Sequence, residues 1–230
     1  MRYLIIGLGI YGSNLAKDLT EAGHEVVGAD VKPALVENIK DYISTAYIID
    51  STDEAALEGL PLLNVDLVIV AIGENFGASI KTVALLKKLG VKHIFARAID
   101  ELHEAILTGM DIDRIITPEQ RAARVLTHEL ALGNDAITME IMPETYVIKF
   151  AAPDYFSGER YTGLNLNDRF GLQLIAATRP VISKNILGVT SAKPTLVNIS
   201  SDNEHVAPGD WFVCFGTAKA YRAMLKHTNG

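Results

Sequence analysis

In residues 1–130, short apolar runs alternate with longer segments whose hydrophobic residues recur at helical spacing. The apolar runs predict strands at 4–6, 26–29, 46–49, 67–72, 93–96 and 115–116. The longer segments predict helices at 10–22, 33–39, 53–60, 79–89, 101–107 and 118–130. Strands that alternate with helices of this length are typical of a parallel sheet with right-handed crossovers. We therefore predict an α/β fold with a doubly wound, Rossmann-type parallel sheet.

The alternation ends near residues 132–134, and strand patterns dominate the rest of the chain. Strands are predicted at 145–150, 172–178, 195–199 and 211–215, with short helices at 166–170 and 218–226. Turn-forming residues, among them Pro208-Gly209-Asp210, separate the strands. This mixture predicts a second, smaller α+β domain. The predicted domains are residues 1–133, which include the last crossover helix, and residues 134–230.

The apolar runs are too short for a protein that is inserted in a membrane. The longest, at 67–72, has the length of a strand, whereas a membrane-spanning helix needs about 18–20 apolar residues. The chain passes from Met1 directly into a strand pattern, so no signal peptide is expected. The single cysteine, Cys214, excludes an intramolecular disulfide. These features predict a cytoplasmic protein.

The distribution of charge excludes nucleic acid as a partner and restricts how a phosphate ligand can be bound. The net charge of −7 lies in residues 1–130, which hold 12 Lys and Arg against 19 Asp and Glu. Nucleic-acid binding usually needs a basic surface that displaces counterions, and neither half of the chain has the composition for one. Nucleic acid is therefore not expected as a partner. An acidic first half would also repel phosphates, so a phosphate ligand has to be bound by local backbone donors.

Such donors are predicted at Gly7-Leu8-Gly9-Ile10-Tyr11-Gly12, which fits the GxGxxG pattern between a strand and a helix. Gly7 permits the tight turn, Gly9 lets a phosphate approach the backbone, and Gly12 allows the helix to pack closely on the sheet. The free N–H groups and the dipole of the first helical turn then attract the anion. Ile10 and Tyr11 lie inside the loop and belong to the predicted site.

Asp30 is the predicted ribose ligand. It stands at the end of the second strand, 21 residues after Gly9, where an acidic side chain accepts hydrogen bonds from an adenosine ribose. Val31 and Lys32, the next two residues, are included in the site. The alternative is a glycine turn of another α/β protein, with Asp30 serving only to cap the following helix.

The remaining candidates lie at the carboxyl ends of predicted strands, where open α/β sheets bind ligands. They are Asp50, Ser51, Thr52, Ala71, Ile72, Gly73, Asn75 and Arg97. Residues 50–52 are expected to surround adenine, or else to cap the next helix. Gly73 allows close approach of a ligand, or forms a simple turn. Arg97 is expected to reach a phosphate, or to form a surface ion pair.

No set of catalytic residues is visible in the sequence. No tyrosine has a lysine four residues later, and the chain lacks CxxC, GxSxG and Walker A patterns. His128-Glu129 lacks the second histidine that a zinc protease of this type needs. We therefore predict no catalytic residue. Because one isolated histidine or aspartate can serve as a base, a small NAD(P)-dependent oxidoreductase remains the alternative.

The chain resembles the RCK, or KTN, family, which regulates potassium conductance in Trk- and Ktr-type uptake systems. The resemblance rests on Ile5-Ile6-Gly7-Leu8-Gly9, Val70-Ala71-Ile72-Gly73-Glu74-Asn75 and Ile115-Ile116-Thr117-Pro118-Glu119. The part from about Glu140, with Pro208-Gly209-Asp210 before the last strand, resembles the small C-terminal RCK lobe. The resemblance therefore covers nearly the whole chain.

The resemblance implies a cytoplasmic regulatory subunit, peripheral to the membrane, that docks on a membrane potassium channel or transporter. It implies a homo-oligomer of dimers, commonly an octameric ring, that binds ATP, ADP, NAD or NADH. Glu119 is then expected to hold a divalent cation near the nucleotide phosphates. Alternatively, it is a first-turn residue favoured by the helix dipole. A regulator of another cation transporter, such as a cation/proton antiporter, is a further alternative.

One residue departs from the family pattern. Ktr-type members often carry arginine in the glycine loop, where this chain has Ile10. That arginine helps to sense the terminal phosphate of ATP. Its replacement puts a preference for ATP over ADP in doubt.

Overall fold

The computed structural model describes residues 1–132, 136–184 and 190–228. The chain forms two compact units, Met1–Gln120 and Arg121–Gly230. This division falls inside the helix that begins at Pro118. The predicted domain boundary, between residues 133 and 134, lies outside the described residues and stays a prediction.

The first unit contains the predicted alternation of strands and helices. Its strands are β1 (Arg2–Ile6), β2 (Glu25–Asp30), β3 (Thr45–Ile48), β4 (Leu67–Val70), β5 (Ile94–Arg97) and β6 (Arg114–Ile116). Its helices are α1 (Ile10–Glu21), α2 (Pro33–Ile39), α3 (Glu54–Glu58), α4 (Phe76–Lys88) and α5 (Glu101–Gly109), and α6 (Pro118–Leu132) continues into the second unit. Helix α4 begins three residues earlier than predicted, because the Asn75 side chain accepts a hydrogen bond from the Ala78 N–H and caps it.

The six strands form one parallel sheet in the order β3-β2-β1-β4-β5-β6. Buried side chains of β1 alternate between two cores, with Leu4 and Ile6 in one and Ile5 in the other. The sheet is therefore covered on both sides, which confirms the doubly wound α/β prediction. The strand order reverses between β1 and β4, and in such sheets the crevice at the carboxyl ends of these strands binds ligands.

The second unit is an antiparallel sheet with two helices. Its elements are β7 (Ile137–Met142), β8 (Thr145–Ala151), α7 (Leu166–Phe170), β9 (Gln173–Lys184), β10 (Thr190–Val197), β11 (Trp211–Thr217) and α8 (Ala218–Thr228). The strand order is β10-β9-β11-β8-β7, and neighbours are antiparallel. The smaller α+β unit is thus confirmed.

Three strands of the second unit differ from the prediction, and one of them, β10, begins at Thr190, five residues before its predicted start. Strand β7 was not predicted, although Ile137, Met139 and Ile141 alternate with Thr138 and Glu140 at strand spacing; these apolar side chains are exposed, and the polar Thr138 is buried. Strand β9 extends well past residue 178, where Pro180 argues against a strand. Pro180 lies opposite Pro194 of β10 and beyond the last pairing of β9 with β11, so neither proline interrupts a ladder in the middle of the sheet.

A buried carboxylate joins β9 to the turn before β11. Asp210 is fully buried and accepts hydrogen bonds from Arg179 Nε at 2.7 Å, the Tyr161 hydroxyl at 2.7 Å and the Ala207 N–H at 2.8 Å. Burial by itself would raise the pKa of Asp210, but the donors around it outweigh burial and lower the pKa below its ordinary value. Asp210 therefore stays ionised in the folded state, and its ion pair and hydrogen bonds stabilise the second unit.

Replacing Asp210 with Asn is expected to lower the free energy of unfolding by about 3 kcal/mol near neutral pH, because it breaks a buried ion pair. The expected loss is at the low end for such pairs because Arg179 keeps some contact with water. The folded-state pKa of Asp210 is depressed, so its contribution is present above the unfolded pKa of about 4 and is lost as the pH falls through the folded value. Urea unfolding at a series of pH values checks both statements.

The exposed Asp202, which accepts a hydrogen bond from the Thr162 hydroxyl, provides the matched control. Asp202→Asn is expected to change the free energy of unfolding by less than about 0.5 kcal/mol. A difference between wild type and Asp210→Asn that stays constant down to the lowest pH would contradict the role given to the Asp210 charge.

Candidate nucleotide-binding site

The glycine loop connects the end of β1 to the start of α1 at the centre of the parallel sheet. Gly9 is the N-cap of α1 and supplies no side chain, so the first-turn N–H groups of Ile10, Tyr11 and Gly12 have no side-chain cap. The Ser13 hydroxyl donates to the Leu8 carbonyl at 2.6 Å and fixes the loop from inside the helix. The loop therefore presents unpaired backbone donors to the crevice, as an anion site requires.

The three glycines of the loop have different physical roles. Gly7 has a φ of +99°, and a Cβ at this position would lie 2.9 Å from the Ile72 N atom. A Cβ on Gly12 would overlap the Gly7 carbonyl oxygen and lie 3.3 Å from the Ala71 Cβ. A Cβ on Gly9 would meet no atom within 4 Å. Gly7 and Gly12 are thus required by the fold, whereas Gly9 leaves open space beside the helix N-terminus.

Asp30 contacts the glycine loop directly. Its Oδ2 accepts a hydrogen bond from the Leu8 N–H at 2.6 Å, and its Oδ1 accepts one from the Lys32 N–H at 2.8 Å. Each carboxylate oxygen keeps a further lone pair, so both can still accept from ribose hydroxyl groups. The structure therefore brings the two parts of the predicted fingerprint into contact.

An ion pair links the segments that follow β2 and β4. Lys32 Nζ lies 2.6 Å from Glu74 Oε2, and both side chains are largely exposed. The pairing lowers the pKa of Glu74 and raises that of Lys32. Val31, which precedes Lys32, is more than half exposed. The two residues predicted after Asp30 therefore lie at the surface of the crevice rather than in the core.

Residues 50–52 form a local turn just after β3. The Asp50 carboxylate accepts from the Thr52 N–H at 2.9 Å and from the Thr52 hydroxyl at 2.8 Å, and these hydrogen bonds lower the pKa of Asp50. The Ser51 hydroxyl is buried and shares a hydrogen bond of 2.8 Å with the Thr82 hydroxyl of α4. Ser51 thus anchors this turn to α4, while Asp50 and Thr52 lie on its outer side.

The segment after β4 supports the loop through its backbone. The Ala71 N–H donates to the Ile6 carbonyl at 2.7 Å and continues the ladder between β1 and β4. Ile72 and Gly73 contact Gly7 and Arg97, respectively, at the positions where a Cβ would collide. The Asn75 side chain caps α4. This segment therefore forms a wall of the crevice. Its residues 72 and 73 pack closely against Gly7 and Arg97 without hydrogen-bonding to them through side chains.

Arg97 lies at the carboxyl end of β5 and contacts three predicted residues. A Cβ on Gly73 would lie 2.7 Å from the Arg97 Cζ, and the guanidinium is 5.7 Å from the centre of the Tyr11 ring. Arg97 Nη2 forms an ion pair with Glu119 Oε1 of α6. Arg97 Nε is buried and has no hydrogen-bond partner. The crevice therefore contains a fixed cation beside the loop that is suited to phosphate.

No three-residue cluster that could hold a metal ion by protein side chains alone occurs within residues 1–132, 136–184 and 190–228. Glu119, the predicted cation ligand, is 62% exposed at its side chain and forms an ion pair with Arg97. In the same part of the chain, no helix is long and apolar enough to cross a membrane.

Two supporting residues escaped the sequence analysis. Ser13 fixes the glycine loop, and Thr82 holds Ser51. Both are small hydroxyl residues on predicted helices, and their sequence neighbourhood does not distinguish them from ordinary surface positions. Glu74 was part of the family resemblance but not of the predicted site, since only the fold places it beside Lys32.

The sheet order, the uncapped glycine loop and the Asp30 contact define a Rossmann-type nucleotide-binding unit joined to a small α+β unit. The family model of the TrkA-N domain matches residues 3–118, and the chain belongs to this family. The match covers the parallel sheet and the whole predicted site up to Pro118.

One relative supports this assignment, and two solved structures share the fold. The Ktr system potassium uptake protein C of Bacillus subtilis (strain 168) is 36% identical over 177 residues, which cover 77% of this chain and 80% of the relative. The GsuK RCK domain shares the fold with a TM-score of 0.62 at 16% identity, covering 100% of this chain and 47% of that one. A GsuK channel bound to NAD gives a TM-score of 0.59 at 15% identity and covers 100% of this chain and 39% of that one. This chain therefore spans less than half of those structures.

Gly12→Ala and Gly9→Ala are expected to separate folding from ligand binding. The Cβ on residue 12 overlaps backbone, so Gly12→Ala should lower the free energy of unfolding by at least about 1–3 kcal/mol. Gly9→Ala should change it by less than about 1 kcal/mol, yet weaken nucleotide binding because its Cβ occupies the approach to the helix N-terminus. Thermal unfolding and calorimetric titration with ADP check the pair. Wild-type ADP affinity in Gly9→Ala would show that phosphate does not approach there.

Proposed function

We propose that this chain is a nucleotide-binding regulatory subunit that controls a membrane potassium channel or transporter. The observation that carries the proposal is the contact between Asp30 and the uncapped glycine loop, in a chain of the TrkA-N family. The 36% identity to a Ktr system potassium uptake protein supports potassium as the transported ion. The geometry supports ligand binding by an otherwise acidic unit, because the donors are backbone N–H groups.

The proposed ligand is an adenine nucleotide, with NAD or NADH, ADP and ATP as the candidates. The likeness in fold to a channel bound to NAD supports a dinucleotide. Its phosphates would lie at Gly9 and the first turn of α1, near Arg97, and its ribose at Asp30. The turn at residues 50–52 follows the strand next to β2 and would flank the adenine. Val31, Lys32, Ile72 and Asn75 would line the crevice.

Regulation requires that ligands distinguish two conformations of the protein. A nucleotide shifts the equilibrium between them only by its difference in affinity for the two. We propose that competing nucleotides act on a homo-oligomer, a dimer that assembles into an octameric ring, which is cytoplasmic and docks on the membrane partner. Helix α6 supports self-association, because its apolar residues Val125, Leu126 and Leu130 are 40–62% exposed.

A divalent cation at Glu119 belongs to the same proposal. The exposed carboxylate lies on the Arg97 side of the crevice, where phosphates are expected. A cation there would take its other ligands from phosphate oxygens and water, as Mg²⁺ commonly does. No catalytic role is proposed for any residue. Steady turnover of NADH with a carbonyl substrate would instead assign the chain to the oxidoreductases.

Asp30→Ala is expected to weaken binding of adenine nucleotides by about 1–3 kcal/mol, because the ribose loses its charged acceptor. Calorimetric titration with ATP, ADP, NAD and NADH measures the effect and also ranks the ligands. Asp18→Ala makes the same change of charge at an exposed position of α1 and serves as the control. Equal affinities of Asp30→Ala and wild type would contradict the ribose role.

Ile10→Arg is expected to raise the preference for ATP over ADP by about tenfold, which corresponds to one added charge-assisted hydrogen bond to the terminal phosphate. Ile10 is 87% exposed at the mouth of the loop, so the longer side chain does not disturb the core. Competitive titration of ATP against ADP measures the ratio. Ile10→Gln, which has a polar but uncharged side chain, is the control, and an equal shift in both variants would exclude a charge effect.

A further inference from the structure

Arg97 is held in place more firmly than the carboxylate that neutralises it. Only 18% of its side chain is exposed, and it is packed against Gly73 and beneath the Tyr11 ring. The Glu119 side chain, in contrast, is 62% exposed and sits in the first turn of α6. A buried cation that lost its partner would carry a desolvation cost, whereas an exposed carboxylate can return to water at little cost.

We propose that, in the nucleotide-free chain, the Glu119 carboxylate occupies the place beside Arg97 where a ligand phosphate would bind. The phosphate and the carboxylate then compete for one guanidinium. This inference rests on the proposed function, since it requires that a nucleotide enters the crevice. It goes further by assigning Glu119 an inhibitory contact that the ligand has to displace.

The shape of the guanidinium makes the two anions alternatives. The group is planar and offers its N–H donors in a fixed fork, which suits one bidentate anion on each accessible edge. The Nη1 side is against Gly73, and Nη2 is paired with Glu119. Nε is buried and lacks an acceptor, so the carboxylate leaves the fork incompletely satisfied. With Nη1 against Gly73 and Nε buried, Nη2 is the donor for which the carboxylate and a phosphate compete.

Displacement of Glu119 from Arg97 by a phosphate has a structural consequence for α6. This helix begins at Pro118, and the first unit ends at Gln120, so Glu119 lies in the last residues of that unit. Its ion pair with Arg97 fastens the first turn of α6 to the end of β5. A phosphate that takes over Arg97 therefore releases this turn from the sheet. Nucleotide occupancy is thereby coupled to the start of the helix that continues into the second unit.

Titration of the full-length chain with ADP tests the competition, in buffer with EDTA so that no divalent cation bridges Glu119 to the phosphates. Glu119→Gln is expected to bind ADP about two- to fivefold more tightly than wild type, since the ligand no longer displaces an ion pair. In an Arg97→Gln background, the same substitution should change the affinity by less than about twofold, because the shared target is absent.

Each other result overturns the proposal. Weaker binding by Glu119→Gln would make Glu119 a positioning residue for Arg97, and unchanged binding would show that the two anions do not compete. An equal gain in ADP affinity in the Arg97→Gln background would mean that Glu119→Gln acts only by removing a negative charge, and not through Arg97. If wild type binds no adenine nucleotide, the proposed function fails together with this inference. If wild type binds ADP and Glu119→Gln shows no gain, only the inference fails.

Hydrogen exchange gives a second measurement that does not depend on a variant. Saturating ADP is expected to speed amide exchange in the first turns of α6, after Pro118, in wild type. Exchange in α5, which is capped by the Asp100 side chain and contains no residue of the proposed site, serves as the internal control. Slower exchange at the start of α6 on ADP binding would mean that the nucleotide tightens this turn, contrary to the release proposed.

Discussion

The site depends on the close approach of α1 to the end of β1. Because Gly12 has no Cβ, the first turn of the helix can lie against the Gly7 carbonyl, and its uncapped N–H groups lie at the carboxyl end of β1. A positive φ at Gly7 supplies the turn that makes this approach possible. The Leu8 N–H then meets Asp30, so the loop and the acidic residue of the neighbouring strand are positioned by one another. Any side chain at position 12 would move all of these groups together.

This arrangement also explains how an acidic unit can bind an anion. The net charge of residues 1–130 opposes phosphate, but salt largely screens this repulsion at separations beyond about 10 Å at moderate ionic strength. Close to the loop, fixed backbone dipoles and the partly buried Arg97 guanidinium dominate, because they act at short range while the repulsion from distant acidic residues is screened. The acidic residues at the crevice already have partners: Asp30 with backbone N–H groups, Glu74 with Lys32 and Glu119 with Arg97.

The parallel sheet and the glycine loop could be predicted because their signals are local. Each strand of the first unit is a short apolar run, and the glycine pattern has its meaning within a single strand–turn–helix. The contacts of Arg97 could not be predicted, since Gly73, Tyr11 and Glu119 are far apart in sequence and meet only when β4, β1 and α6 are in place. The inward direction of Ser51 depends on its register against Thr82. The alternation of residues 137–141 is a strand signal that could have predicted β7, but it would have assigned the wrong side to the core, because the apolar side of β7 is the exposed one.

The facing prolines of β9 and β10 limit the pairing of a further strand with the sheet of the second unit. Proline has no N–H, so Pro180 and Pro194 fit opposite each other only as a pair that exchanges no hydrogen bonds. At such a pair, the main-chain groups of the outermost strand point away from its neighbour. Position 194 therefore offers no donor to a strand approaching from outside, and Lys193 beside it adds a charge. Backbone pairing of a further strand is therefore disfavoured at this part of the β10 edge, whereas the other edge of the sheet, β7, contains no proline.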